Sequence, residues 1–238
     1  MNLLPLSPAT DLLPADCRAT AELLNRGCAC VSVDHASLKR ALEAGAGSLS
    51  HADLLATRPH LFSDSMVFVS QAHLLHMARL ISLIERLVVR PEYRERVLAY
   101  APPVARHEPR AAGVFLGYDF HLGPDGPQLI EINSNAGGAL LNARLLSAQR
   151  ACCAPVARMM PAPLPVEETF LDMFHEEWQL ARPAAVNRPL ARVVIVDERP
   201  AEQYLAPEFE LFRQLFVAHG LVAVVAEPAD FSFDGKAL

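Results

Sequence analysis

The chain has 238 residues, of which 52% are apolar, 20% charged and 7% aromatic, a balance that suits a globular protein with one or two buried cores and excludes a disordered or collagen-like chain. Its net charge of −6 argues against nucleic acid as a main partner, because a phosphate-tracking surface carries a basic excess. At about 150 residues per domain the length allows one large domain or two small ones.

Residues 1–60 mix short helical patterns with Pro and Gly breaks, and predict helices over 37–44 and 51–57 around a loop at 45–50. From 70 to 90, Leu74, Met77, Ala78, Ile81, Ile84 and Val88 recur at spacings of three and four. That spacing predicts an amphipathic helix that packs on a core and stops at Pro91. His73 and His76 lie three apart on it, but no carboxylate or cysteine is spaced with them, so solvation or capping outweighs a metal role. The stretch from 94 to 110 is rich in Arg and Pro and reads equally well as a solvated surface or as contacts for phosphate or carboxylate.

Residues 113–133, GVFLGYDFHLGPDGPQLIEIN, alternate apolar and polar side chains on both sides of a Gly-Pro-Asp-Gly-Pro turn. This is the pattern of a β-hairpin with a loop longer than two residues. Alternation puts Tyr118, Phe120 and Leu122 on one face of the first strand and Asp119 and His121 on the other. A five-residue loop from Gly123 to Pro127 pairs Leu122 with Gln128, which sets Asp119 opposite Glu131 and Gly117 opposite Asn133. One face is then an apolar layer completed by Ile130 and Ile132, and the other gathers Asp119, His121, Glu131 and Asn133.

Facing carboxylates repel across a bare sheet, and a hard cation reverses that sign. Magnesium takes oxygen ligands, typically one or two carboxylates with phosphates and water, so Asp119, Glu131 and the Asn133 amide are suitable donors. The run Asn135, Ala136, Gly137, Gly138 ahead of a helix at 139–150 adds exposed N–H groups of the kind that hold phosphates. His121 shares the acidic face, to hydrogen-bond Asp119 or to carry a proton.

Six prolines between 155 and 189 surround one helix, 166–181, and suggest a connection ending near residue 188. After it come a strand at ARVVIVDE, a helix over 202–219 closed by Gly220, and a strand at LVAVVAE. Strand, helix and strand in that order make a βαβ unit with parallel strands. Asp197 and Glu227 end those strands, where open α/β sheets bind ligands, and are candidate substrate contacts, with turn capping as the alternative. Because two parallel strands are too few to stand alone, partner strands come from earlier in the chain or the sequence is the front part of a longer protein. The expected organisation is α/β (α+β): 1–187 with the hairpin and helices, and 188–238 with the partial βαβ unit.

The segment GYDFHLGPDGPQLIEINSNAGG resembles the metal-binding end of ATP-grasp ligases, in which an Asp on one strand and a Glu-x-Asn on the next hold magnesium against the triphosphate of ATP. By position, the resemblance makes Asp119 the first carboxylate, Glu131 the bridging carboxylate and Asn133 the third ligand. Asn135, Gly137, Gly138 and His121 then belong to the nucleotide site. The implied activity is a Mg- or Mn-dependent, ATP-driven joining of a small-molecule carboxylate to an amine or thiol through an acyl phosphate.

The order, with a Rossmann-like βαβ unit after the hairpin, is similar to circularly permuted ATP-grasp proteins of the glutathionylspermidine synthetase type. The family also holds phosphates with lid lysines. Of the 21 basic residues only Lys39 and Lys236 are lysines, and neither lies in a lid-like context. The alternative is therefore a non-catalytic relative that keeps the hairpin as a binding or structural module.

The five cysteines, Cys17, Cys28, Cys30, Cys152 and Cys153, are odd in number and show no paired C-x-x-C spacing. This points away from a disulfide framework or zinc site and toward a reducing compartment. The N-terminal stretch lacks the basic and apolar regions of a signal peptide, and no run of about 18 apolar residues occurs. A cytoplasmic protein without nucleic-acid or membrane partners is expected, and a homodimer is compatible with the reading.

Overall fold

The computed structural model describes residues 17–27, 31–43, 50–63, 66–151, 157–158, 165–182 and 188–235. Cys28, Cys30, Cys152, Cys153, Lys236 and most of the predicted loop at 45–50 lie outside them. Helix and strand are mixed in an α+β arrangement. The elements are α1 (Cys17–Gly27), β1 (Val31–Val33), α2 (His35–Glu43), α3 (His51–Thr57), α4 (Gln71–Val88), α5 (Pro91–Leu98), β2 (Gly117–Gly123), β3 (Gly126–Asn133), α6 (Ala139–Ser147), β4 (Gln149–Ala151), α7 (Val166–Ala181), β5 (Arg192–Val196), α8 (Ala206–Ala218) and β6 (Val222–Ala226). The strands pair as three two-stranded sheets, β1 with β4, β2 with β3, and β5 with β6.

Local chemistry explains several boundaries. The hydroxyls of Ser50 and Ser70 accept from the N–H groups of Asp53 and His73, both at 3.2 Å, and so cap α3 and α4. Pro91 was expected only to stop α4, but it also opens α5. At the first helical position its missing N–H has no bond to lose. Helix α1 and the short antiparallel pair β1–β4, with Val31 opposite Ala151, were not among the expected elements.

The chain forms two compact units, each built from separate segments. One gathers the described residues of Met1–Ala29, Ser65–Arg106 and Tyr118–Glu131; the other gathers those of Cys30–Asp64, His107–Gly117 and Ile132–Leu238. No unit boundary falls at 188. The reason is packing: α8 places Phe212 and Phe216 in the same buried cluster as Leu140 and Leu141 of α6 and Leu38 and Leu42 of α2.

In the second unit Phe115, Phe170, Phe174, Phe212 and Phe216 form a run of ring contacts, the closest an edge-on pair of Phe174 and Phe216 with centroids 5.0 Å apart. Strands β5 and β6 are parallel, with Arg192 opposite Val222 through to Val196 opposite Ala226. With α8 between them they make the expected βαβ unit. Ala223 is buried while Val222 and Val224 are exposed, so part of this small sheet stays open.

The first unit holds α1, α4, α5 and most of the hairpin. Helix α4 forms where its periodicity placed it, but it buries no residue: Met77, Ala78, Ile81 and Ile84 are half-buried, and Leu74, Leu83, Leu87 and Val88 are exposed. The expected core packing of this helix is therefore corrected. An apolar stripe needs a facing layer to bury it, and two other short helices with a two-stranded hairpin cover only part of it. Among the described residues no helix is long and apolar enough to cross a membrane.

Candidate functional site

The hairpin carries the candidate metal residues. Strand β2 runs to Gly123 and β3 starts at Gly126, so the turn proper is Pro124–Asp125, tighter than the five-residue loop expected. Gly126 has φ of +106°, the conformation that lets a type I turn end in a bulge and return to the strand. On α1, Arg18 donates through its guanidinium to the Pro124 carbonyl and pairs with Glu22 at 2.9 Å, which holds the turn. A Cβ placed on Gly117 would lie 3.6 Å from the Asn133 Cβ, so these two residues sit against each other at the open end of the hairpin.

Alternation holds on β2: Tyr118, Phe120 and Leu122 are half-buried while Asp119 and His121 are exposed. On β3 it does not. Glu131 and Asn133 are exposed, but so are Ile130, at 66%, and Ile132. The apolar layer expected across both strands is therefore covered only on β2, because among the described residues no third strand or helix lies over Ile130 and Ile132.

Asp119 makes no hydrogen bond or ion pair among the described residues. The expected hydrogen bond from His121 to Asp119 is likewise not formed among them. Two residues apart on one strand, the side chains stand in parallel, and the His121 ring lies toward Gly123, whose Cβ position is 3.7 Å from His121 Cδ2. Among the described residues no three His, Cys, Asp or Glu side chains converge closely enough to hold a metal by themselves. The chemistry of the set still fits magnesium. Asp119 and Glu131 are exposed oxygen donors on paired strands, and magnesium needs only one or two carboxylates when phosphates and water supply the other positions.

The chain leaves β3 through a turn that folds back on the segment before β2, with Ala136 N–H donating to the Phe115 carbonyl at 3.0 Å. Asn135 is exposed. A Cβ on Gly137 would lie 2.6 Å from Leu205 Cδ1, so the glycine permits close packing at the start of α8, and Gly138 caps α6 with φ of +94°. Gly137 and Gly138 were expected to offer N–H groups to a phosphate. In this structure the Gly138 N–H donates to one carboxylate oxygen of Glu208, and the Leu140 N–H donates to the other at 2.9 Å.

Glu208, on α8, is 3% exposed. Its carboxylate occupies the positive end of α6, where anions are favoured. Burial raises its pKa above the usual carboxylate value, and hydrogen bonds from Gly138, Leu140 and Ala139 work in the opposite direction. The sequence reading passed over this residue, although a signal was present: in APEFELFRQLF, Glu208 shares the apolar face of Leu211, Phe212 and Leu215. A carboxylate at such a position needs a buried partner.

Asp197 and Glu227 lie together at the ends of β5 and β6, where Asp197 N–H donates to the Ala226 carbonyl at 3.2 Å. Both are engaged locally. Asp197 accepts from the Glu198 N–H at 2.7 Å, and Glu227 and Asp230 cap each other's backbone N–H groups, with Glu227 N–H to Asp230 at 2.8 Å. No protein-family model, curated protein or solved structure matches this chain.

Proposed function

We propose that this chain carries a magnesium–ATP site on the β2–β3 hairpin and serves an ATP-grasp-like ligase that activates a small-molecule carboxylate as its acyl phosphate for attack by an amine or thiol. In this reading Asp119 and Glu131 are carboxylate ligands of Mg2+ or Mn2+. Asn133, two residues along β3 from Glu131, supplies the third oxygen. The bound metal would neutralise charge on the phosphate oxygens, and phosphoryl transfer depends mainly on such neutralisation and on positioning.

The observation that carries the reading is the pairing of β2 with β3 in which Asp119 and Glu131 are both exposed and Asp119 has no partner among the described residues. A Rossmann-like role for β5, α8 and β6 is part of the same proposal, with Asp197 and Glu227 as substrate contacts. Asn135, Gly137 and His121 are the exposed candidates for the nucleotide, and a phosphate that reaches the Gly138 N–H has to displace Glu208.

Thermal unfolding of the full chain in saturating Mg-ATP tests the proposal. A ligand at about one hundred times its Kd adds about 2.7 kcal/mol to stability, which raises Tm by several degrees. The rise is expected for the wild type and is expected to vanish in Glu131→Gln. A wild-type Tm that does not move sinks the proposal.

The engagement of Gly138 and Leu140 by Glu208 favours a second reading, a non-catalytic relative that keeps the hairpin as a binding or structural module. It predicts no nucleotide turnover and the same stability for Glu131→Gln as for the wild type.

A further inference from the structure

A second feature of the first unit stands apart from the carboxylates of the hairpin. Helix α1, the start of α4 and the turn end of β2 enclose an open cleft of about 240 Å³, with Arg18, Asn25, Arg26, Phe68, His73 and Leu122 in its wall. Most polar groups in that wall are spent on holding it. Asn25 clasps the Phe68 backbone from both sides, donating to its carbonyl at 2.8 Å and accepting from its N–H at 2.7 Å. Arg18 is neutralised by Glu22 and tied to the turn carbonyl of Pro124.

Two groups remain. Arg26, in the last turn of α1, makes no ion pair or hydrogen bond among the described residues, and the His73 side chain makes none either; only its backbone N–H is engaged, by Ser70. The cleft thus has pinned walls, one uncompensated guanidinium, a half-buried imidazole, and an apolar side formed by Phe68 and Leu122. We infer that it binds a small monocarboxylate with a flat apolar body.

Each part of that description has its own physical reason. A guanidinium presents a planar fork that matches a carboxylate with two parallel hydrogen bonds, and in this structure Glu22 pairs with Arg18 rather than with Arg26. Phe68 and Leu122 are the large apolar residues of the wall and favour a flat apolar body. The volume lies below the range of about 300–1,000 Å³ typical of sites for drug-sized ligands, which limits the occupant to a small molecule. Pinned walls reduce the ordering cost that binding would otherwise incur.

Binding of benzoate to the full chain, followed by saturation-transfer NMR and calorimetric titration, tests the inference, with acetate and benzyl alcohol as controls that lack the flat body or the charge. Saturable benzoate binding is expected, at least tenfold tighter than either control. Arg26→Ala should weaken it tenfold or more, Arg26→Lys less, because charge is kept and the fork lost, and His73→Ala a few-fold. Far-ultraviolet circular dichroism of each variant establishes that the helices persist. Glu131→Gln should leave benzoate affinity unchanged, so the cleft and the magnesium site succeed or fail separately. The inference is overturned if benzoate shows no saturable binding at millimolar concentration, if benzyl alcohol binds equally well, or if a folded Arg26→Ala variant binds as the wild type does.

Discussion

The two units differ in how they hold themselves together. In the second, Leu38, Leu42, Leu140 and Phe216 are shielded almost completely from solvent and the phenylalanines of α7 and α8 interlock. In the first, no hydrophobic side chain among the described residues belongs to the buried core; α1, α4, α5 and the hairpin rest on half-buried contacts, capping and polar ties such as Asn25 to Phe68. A buried side chain contributes roughly 1.5–3 kcal/mol by leaving water, and that contribution is concentrated in one unit. The candidate metal ligands Asp119 and Glu131 sit in the other, on a two-stranded hairpin of a kind that is marginal alone. Their geometry is therefore set by the turn more than by packing.

This contrast yields three expectations of decreasing size. The largest is Phe216→Ala, which opens a cavity in the aromatic cluster and should cost about 3–5 kcal/mol, against no more than about 0.5 kcal/mol for Leu83→Ala on the exposed side of α4. Urea denaturation of both variants measures the difference, and equal losses would mean that the first unit has a core of its own weight. Next is Glu208→Ala. It leaves the Gly138 and Leu140 N–H groups buried without an acceptor and should cost about 1–3 kcal/mol, read from the same denaturation curves; an unchanged midpoint would show that the N-terminus of α6 does not depend on the carboxylate.

The smallest is a pH effect. Because burial raises the Glu208 pKa in the folded chain, the folded state binds more protons than the unfolded one between the ordinary and the raised value. The contribution of Glu208 to stability is thus full below that interval and falls as pH rises through it. Glu210 has the opposite sign: its hydrogen bond with Arg213 lowers its pKa, so its contribution is present above the ordinary carboxylate value and is lost as pH falls through the lowered one. Unfolding midpoints across the acid range should show the Glu208 slope in the wild type and not in Glu208→Gln. A wild type and variant with parallel profiles would refute the assignment.

Much of the local structure was legible in the residues themselves. Ser50 and Ser70 mark helix starts, the alternation around Gly-Pro-Asp-Gly-Pro marks a hairpin, and two apolar runs flanking a helix mark a βαβ unit, because capping, strand alternation and turn geometry all act between neighbours in the chain. The exposure of Asp119 and His121 follows from the same alternation. What neighbours do not encode is who covers whom. The stripe on α4 and the pair Ile130 and Ile132 looked like core, yet among the described residues the stripe is only partly covered and both isoleucines are exposed.

Contacts between distant residues decided the rest. The glycines at 137 and 138 have the composition of a phosphate loop, yet about seventy residues later in the chain Glu208 is carried by α8 to the N–H groups of Gly138 and Leu140. Likewise the prolines before residue 188 suggested a boundary, whereas α8 packs its phenylalanines into the cluster built by α2, α6 and α7. Burial and the pairing of a buried charge depend on three-dimensional proximity, to which spacing along the chain is blind; element type and strand face depend on that spacing and were readable from it.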